Sequence, residues 1–143
     1  MEGEAPKYVI YTYEPAGRKR LLKVENPDGT YVTFAYDDTA HRVTVTDQAG
    51  RSTVTQESYA YSTIEGGQVL CRIVAVTAPG GGITRSYYNM DGDLLQVTDA
   101  KGQNKITKYD NLHRAVQTKD PFKGRNYFYY NAAGQLKRSV DNK

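Results

Sequence analysis

Apolar and polar residues alternate along most of this chain in short runs, each closed by turn-forming residues. Val43 and Val45 alternate with threonines in "RVTVTD", and Leu94, Leu95 and Val97 lie within "LLQVT". Alternation over four to eight residues is the signature of a half-buried strand. No segment of useful length carries the 3.6-residue period of an amphipathic helix. The runs end on clusters such as "ENPDG", "TDQAG", "TAPGG", "TDAKG" and "KDPFKG", which punctuate strands. Consecutive strands joined by short turns must run antiparallel. The pattern therefore predicts an all-β fold, a long antiparallel meander of hairpins.

The hairpins repeat. A tyrosine opens each unit, at Tyr13, Tyr36, Tyr61, Tyr88, Tyr109 and Tyr130, in steps of 23, 25, 27, 21 and 21 residues. The glycines that close each unit, Gly29, Gly50, Gly81, Gly102 and Gly124, are spaced by 21, 31, 21 and 22. Two landmarks thus share one period near 21, with an insertion in the third unit around "STIEGGQVL". Self-similarity at a fixed period of this length marks an array of supersecondary units. Each unit holds two turns and two strands, so six units predict about 11–12 strands, in a ribbon roughly 55 Å across at about 4.8 Å per strand. A sheet of that width must twist, coil or close. The array is expected to occupy residues 8–143 as one domain, with residues 1–7 as a disordered or appended N-terminus.

The turns have their own chemistry. Pro27, Pro79 and Pro121 set a fixed φ early in a turn, and Gly29, Gly80 and Gly124 accept positive φ later in it. Pairs such as Asp28-Gly29 and Asp91-Gly92 favour hairpin turns whose twist matches the flanking strands. Gly17, Gly29, Gly50, Gly92, Gly102, Gly124 and Gly134 are the expected turn positions. In "YDDTAHR" and "YDNLHR", His41 and His113 stand near the slot that glycine fills elsewhere. Histidine tolerates the left-handed region at modest cost, so both are read as turn residues rather than catalytic ones.

Composition changes the picture in one respect. Of the 143 residues 38% are hydrophobic, and much of the apolar bulk comes from 13 Tyr, with 3 Phe and no Trp. Recurring at equivalent strand positions, the tyrosines are expected to form a ladder on one sheet face, each ring packed on its neighbour. The 19 basic and 16 acidic residues leave a net charge of only +3, with no clustered patch for nucleic acid. The single cysteine, Cys71, lies in the apolar run "QVLCRIVAV" and reads as a buried, inert thiol. No stretch approaches the roughly 20 apolar residues that span a bilayer. "MEGEAPKY" has no apolar core of a secretory signal, so the segment itself is expected to be soluble, without membrane insertion.

Candidate chemistry is sparse. Asp47 and Asp99 share one turn slot, where aspartate caps the turn backbone. Asn89, Asp91 and Asp93 are spaced like the start of a calcium loop, but the later bidentate glutamate is missing. "PGGG" at Pro79–Gly82 is followed by no Gly-Lys-Ser/Thr and is not a phosphate loop. We find no triad, metal-ligand cluster or cofactor motif, so no catalytic, metal or cofactor residue is assigned and an enzyme is not expected.

"YEPAGR", "YDDTAHR", "YDNLHR" and "YNAAGQL", followed by "VTDQAG", "VTDAKG" and "KDPFKG", resemble the YD repeats of the RHS family. That resemblance implies a spiralling β-sheet that builds a hollow shell, in large secreted or cell-surface polypeptides of bacteria with relatives in toxin complexes and teneurins. It implies a structural, non-catalytic role in enclosing or presenting a toxin domain, with the rest of a larger polypeptide as the partner. A chain of this length would form only a section of wall. "NYFYYNAAGQLKRS" also resembles the aromatic repeats of cell-wall and glucan-binding modules, which makes carbohydrate binding the second reading. Open strand edges further predict pairing with neighbouring chains, with Lys105, Lys108, Lys119 and Lys137 placed as gatekeepers.

Overall fold

The computed structural model describes residues 8–142; the expectation for residues 1–7 falls outside them. Twelve strands follow one another in a single sheet, in the order of the chain. The first four are β1 (Ile10–Tyr13), β2 (Leu21–Glu25), β3 (Tyr31–Asp37) and β4 (Arg42–Asp47). Two long strands follow, β5 (Ser52–Ile64) and β6 (Gly67–Thr77). Then come β7 (Ile83–Tyr88), β8 (Leu94–Thr98), β9 (Asn104–Tyr109) and β10 (Ala115–Asp120). The last two are β11 (Gly124–Tyr130) and β12 (Leu136–Asn142). Described neighbours pair antiparallel, from β1–β2 to β11–β12. The fold is the all-β meander that the alternation and turn spacing predict. It is open: among the described residues β1 and β12 end the strand order and are not neighbours.

The chain divides into two compact units. One runs to Gln56 and takes in Val76–Gly81; the other comprises Glu57–Ala75 and the chain from Gly82 onward. In the first, β-branched and aromatic residues pair across strands, Phe34 opposite Val45 and Tyr36 opposite Val43, the contacts that favour a half-buried pleated surface. None of its described residues is fully buried. The second unit has the little core there is: Cys71, fully inaccessible, with Ile106, Gln96 and Gln117. Gln96 pairs with Ile106, so both project from the same face.

The extra residues of the third unit lengthen β5 and β6 to 13 and 11 residues. Their hairpin turns at Glu65 and Gly66, both at positive φ (48° and 86°).

Six turns, those that start at Asn26, Asp47, Asn89, Asp99, Asp110 and Asn131, share one plan. The N–H of the first residue donates to the carbonyl of the fifth, and the N–H of the fourth donates to the carbonyl of the first. At Asp99 both bonds are 3.0 Å, to Gln103 and from Gly102. The fourth residue is left-handed, φ 81° at Gly102, where a Cβ would be strained. This is a three-residue loop closed by a left-handed residue. Asn26–Thr30 and Asn89–Asp93 follow it too, so Asp28-Gly29 and Asp91-Gly92 do not act as two-residue turns. The other expected turn glycines, Gly17, Gly50, Gly124 and Gly134, also have positive φ. The expectation for Gly80 needs correcting: Gly81 takes the positive φ of 84°, because the turn that starts at Ala78 closes onto the N–H of Gly81.

Candidate functional site

The six turns of this plan start with Asp or Asn, whose side chain can organise the turn. Asp47 Oδ1 accepts from the N–H groups of Ala49 and Arg51 (3.0 and 2.9 Å). Asp99 Oδ1 does the same with Lys101 and Gln103 (both 2.9 Å). Asp110 does so with Leu112 and Arg114 (2.9 and 3.0 Å). Such bonds favour the carboxylate form. Backbone bonds from Arg51 therefore lead in holding Asp47 below the ordinary range, while at Asp110 the Arg114 side chain leads. His113 occupies the fourth position of its turn at φ 59° and donates its N–H to Asp110. His41, at φ 48°, closes the corresponding turn of the second repeat.

The repeat tyrosines sit where the strand pairing slips. The register breaks at Tyr13, Tyr88, Tyr109 and Tyr130, which lie opposite Leu21, Leu94, Ala115 and Leu136, the first residues of the next strands. Each slip is a bulge, which bends the strand and raises its twist. Beyond a bulge the next ladder stops short. Pairing of β10 with β11 runs from Asp120–Gly124 to Gln117–Tyr127 and leaves Ala115 past its end. A phenol spans that gap. Tyr130 donates its hydroxyl to the Ala115 carbonyl at 2.7 Å, Tyr109 to Leu94 at 3.0 Å, and Tyr36 to Leu21 at 2.8 Å. Tyr36, Tyr109 and Tyr130 thus each supply the donor for a carbonyl that the bulge before it removes from the ladder.

An arginine covers the ring. Arg20 lies 4.4 Å from the centroid of Tyr36, and Arg114 lies 4.6 Å from that of Tyr130. Each is held by the acid that follows its own repeat tyrosine: Arg20 by Glu14 at 2.7 Å, Arg114 by Asp110 at 2.6 Å. The pairing holds Glu14 below the ordinary carboxylate range and raises Arg20. In these two repeats tyrosine, acid and arginine therefore act as one unit, in which the acid orients a guanidinium over the next tyrosine. Tyr88 is covered by Arg72 at 4.5 Å. Tyr13 and Tyr61 are open, 53% and 73% exposed. The six tyrosines are thus not equivalent in their surroundings.

One repeat inverts the charges. In "YNMDGD" the arginine slot holds Asp93, and the His113 ring of the next turn meets it through Nδ1 at 2.9 and 3.1 Å. Asn89 Nδ2 donates to the same carboxylate at 3.0 Å. The contact lowers Asp93 and raises His113. In the first two repeats the same link between adjacent turns has the opposite polarity, Arg20 to Asp38 at 2.7 Å. Asn89, Asp91, Asp93, Tyr109, Asp110 and His113 line a surface hollow of about 390 Å³. Asn89 Oδ1 is already committed to the N–H groups of Asp91 and Asp93 (3.1 and 2.8 Å), and no cluster of three or more metal-ligating side chains is found among the described residues. His41 and His113 belong to different compact units.

A contact that the spacing of residues did not point to is at the β5–β6 turn. Glu65 meets Lys108 at 2.7 Å, Arg125 at 3.3 Å and Lys119 at 3.7 Å, one cation from each of β9, β11 and β10. The only sequence signal for it is the glutamate within the inserted "EGG". Among the described residues no helix is long and apolar enough to cross a membrane.

The side chains that recur are spent on turns and on the joints between repeats, as in a structural repeat. Residues 13–53, the first two repeats, match the family model described as RHS Repeat.

Proposed function

We propose that this chain is a non-catalytic wall segment of a larger RHS-type polypeptide, whose β-shell encloses or presents a toxin or effector domain in bacterial competition or toxin delivery. The observation that carries this reading is the use of the repeat side chains. Acids cap turns, arginines cover rings and phenols close carbonyls, and each of these contacts joins one repeat to itself or to the next. Such a surface repeats without converging on a reacting centre. The parent polypeptide would be secreted or displayed at the cell surface, and the segment would add to it by strand pairing at β1 and β12. All four residues of β1 are exposed, which suits an edge that accepts a further strand.

Sequencing the gene on both sides of this segment tests the proposal. Many further repeats leading to an unrelated C-terminal domain are expected. A neighbouring cell-wall hydrolase with no further repeats would overturn it.

Carbohydrate binding is the second reading, favoured by the open rings of Tyr59 and Tyr61, 60% and 73% exposed on β5. Exposed aromatic faces are platforms for sugar rings. Titration with peptidoglycan and glucan fragments, followed by tyrosine fluorescence, distinguishes the readings. A saturable change that Tyr61→Ala abolishes would favour the sugar platform.

A further inference from the structure

The strand register of the second compact unit sorts charge by face. Pairing places Arg85, Lys108, Lys119, Arg125 and Arg138 on the face that carries Gln96 and Ile106. The two strand carboxylates of β7–β12, Asp120 and Asp141, alternate onto the other face. The basic face is therefore without a carboxylate of its own from those strands. The one it meets belongs to Glu65, brought in by the β5–β6 turn.

That contact has the form of a ligand in a site. Three cations from three adjacent strands converge on one carboxylate, with Oε2 on Lys108 and Oε1 on Lys119 and Arg125. The Glu65 side chain is 16% exposed, whereas the three cations stay 41–51% exposed and outnumber it. The lysine and arginine partners hold Glu65 below its ordinary range, the Lys108 hydrogen bond foremost. Glu65 reaches the site with a left-handed backbone, φ 48°, which a non-glycine residue adopts at a cost. Gly66 and Gly67 follow it directly. The resident carboxylate is thus held by charge at the tip of a turn rather than by burial in a core.

We propose that Lys108, Lys119 and Arg125 form a binding site for acidic polypeptide segments, and that the Glu65 turn is its built-in, displaceable occupant. The occupant itself names the ligand class, since it is a side-chain carboxylate carried on a polypeptide chain. A competing acidic segment would place its carboxylate between the same three cations and release the β5–β6 tip. The three cations stand on β9, β10 and β11 whether or not the chain is a section of a shell wall.

The test uses the intact chain at low ionic strength, with fluorescein-labelled hexaglutamate as the probe and anisotropy as the readout. Glu65→Gln vacates the site at constant shape and is expected to bind the probe about tenfold more tightly than the parent chain. Adding Lys108→Gln and Lys119→Gln should return binding to background. Equal binding with and without Glu65→Gln, or no loss with the lysine substitutions, overturns the proposal. So does tighter binding of inorganic tripolyphosphate or a short DNA strand than of hexaglutamate. Excess hexaglutamate should also speed hydrogen exchange of the amides at 64–67 in the unaltered chain, a measurement independent of how the variants fold. Unchanged exchange there counts against displacement.

Discussion

The hydroxyl of Tyr130 donates to the carbonyl of Ala115 at 2.7 Å, and Ala115 is itself the residue facing Tyr109 at a break in strand register. One repeat's tyrosine makes the bulge and the next repeat's tyrosine satisfies the carbonyl beyond it. Leu94 stands in the same relation to Tyr88 and Tyr109. Leu21 stands so to Tyr13 and Tyr36. A buried or half-buried carbonyl without a donor is costly, so at these joints the repeats are tied together by a hydrogen bond.

Tyr109→Phe and Tyr130→Phe are each expected to destabilise the fold by about 1 kcal/mol, the usual net worth of one intramolecular hydrogen bond. Tyr61→Phe, at a ring that is 73% exposed, should stay within about 0.5 kcal/mol. Urea unfolding followed by circular dichroism measures all three. Equal losses at the three positions would show that the hydroxyl bonds are not what distinguishes them.

The His113–Asp93 contact makes one joint sensitive to pH. His113 is raised from its ordinary 6.5, chiefly by the Asp93 hydrogen bond, so its contribution is complete below 6.5 and fades as pH rises through the raised value. Asp93 is lowered from 3.8, chiefly by His113, so its contribution is complete above 3.8 and fades as pH falls through the lowered value. The joint is strongest between those two ordinary values. Unfolding free energies of the parent and His113→Gln should therefore differ most near pH 5 and converge above neutrality. A difference that is constant from pH 5 to 9 would mean that the ion pair contributes nothing.

His41 and His113 both occupy left-handed turn positions, φ 48° and 59°, yet only His113 meets a carboxylate across the repeat. Glycine relieves the left-handed strain, which costs other residues about 1–2 kcal/mol, and gives part of it back in unfolded-chain entropy. His41→Gly should thus stabilise the chain by about 0.5–1 kcal/mol. His113→Gly should match it at pH 8 and fall below it at pH 5, where the contact with Asp93 is lost. Thermal melts of both variants at the two pH values check the contrast.

Strand number and antiparallel order were legible in the chain because they depend on local signals: alternation, turn residues and a period. The turn roles of Asp47 and Asp99 were legible for the same reason. What was not legible involves partners far apart in sequence. Nothing in "YDNLHRAV" states that Arg114 covers Tyr130 or that His113 answers Asp93, since both depend on which turns become neighbours. The inserted "STIEGGQVL" read as a length irregularity, and only strand register shows that its Glu65 meets three cations. Ring stacking was expected of the tyrosines because burial argues for it, whereas the bulges that give their hydroxyls a carbonyl are set by register.

Cys71 gives a probe of that inserted hairpin. It lies in β6 with no accessible surface, and burial raises its thiol above the ordinary range. Both effects suppress the thiolate, the form that attacks a disulfide reagent. Labelling with an aromatic disulfide reagent at pH 8 should therefore be slower than in the unfolded chain by a factor on the order of a thousand, about 4 kcal/mol of opening at 1.4 kcal/mol per factor of ten. Glu65→Gln removes the ties of the β5–β6 turn to β9, β10 and β11, so local opening becomes easier and labelling should quicken several-fold. If labelling is fast in the parent chain, the hairpin does not stay packed in solution. Identical slow rates in parent and variant would mean that Cys71 is exposed only by unfolding of the whole unit, with Glu65 having no part in holding the hairpin down.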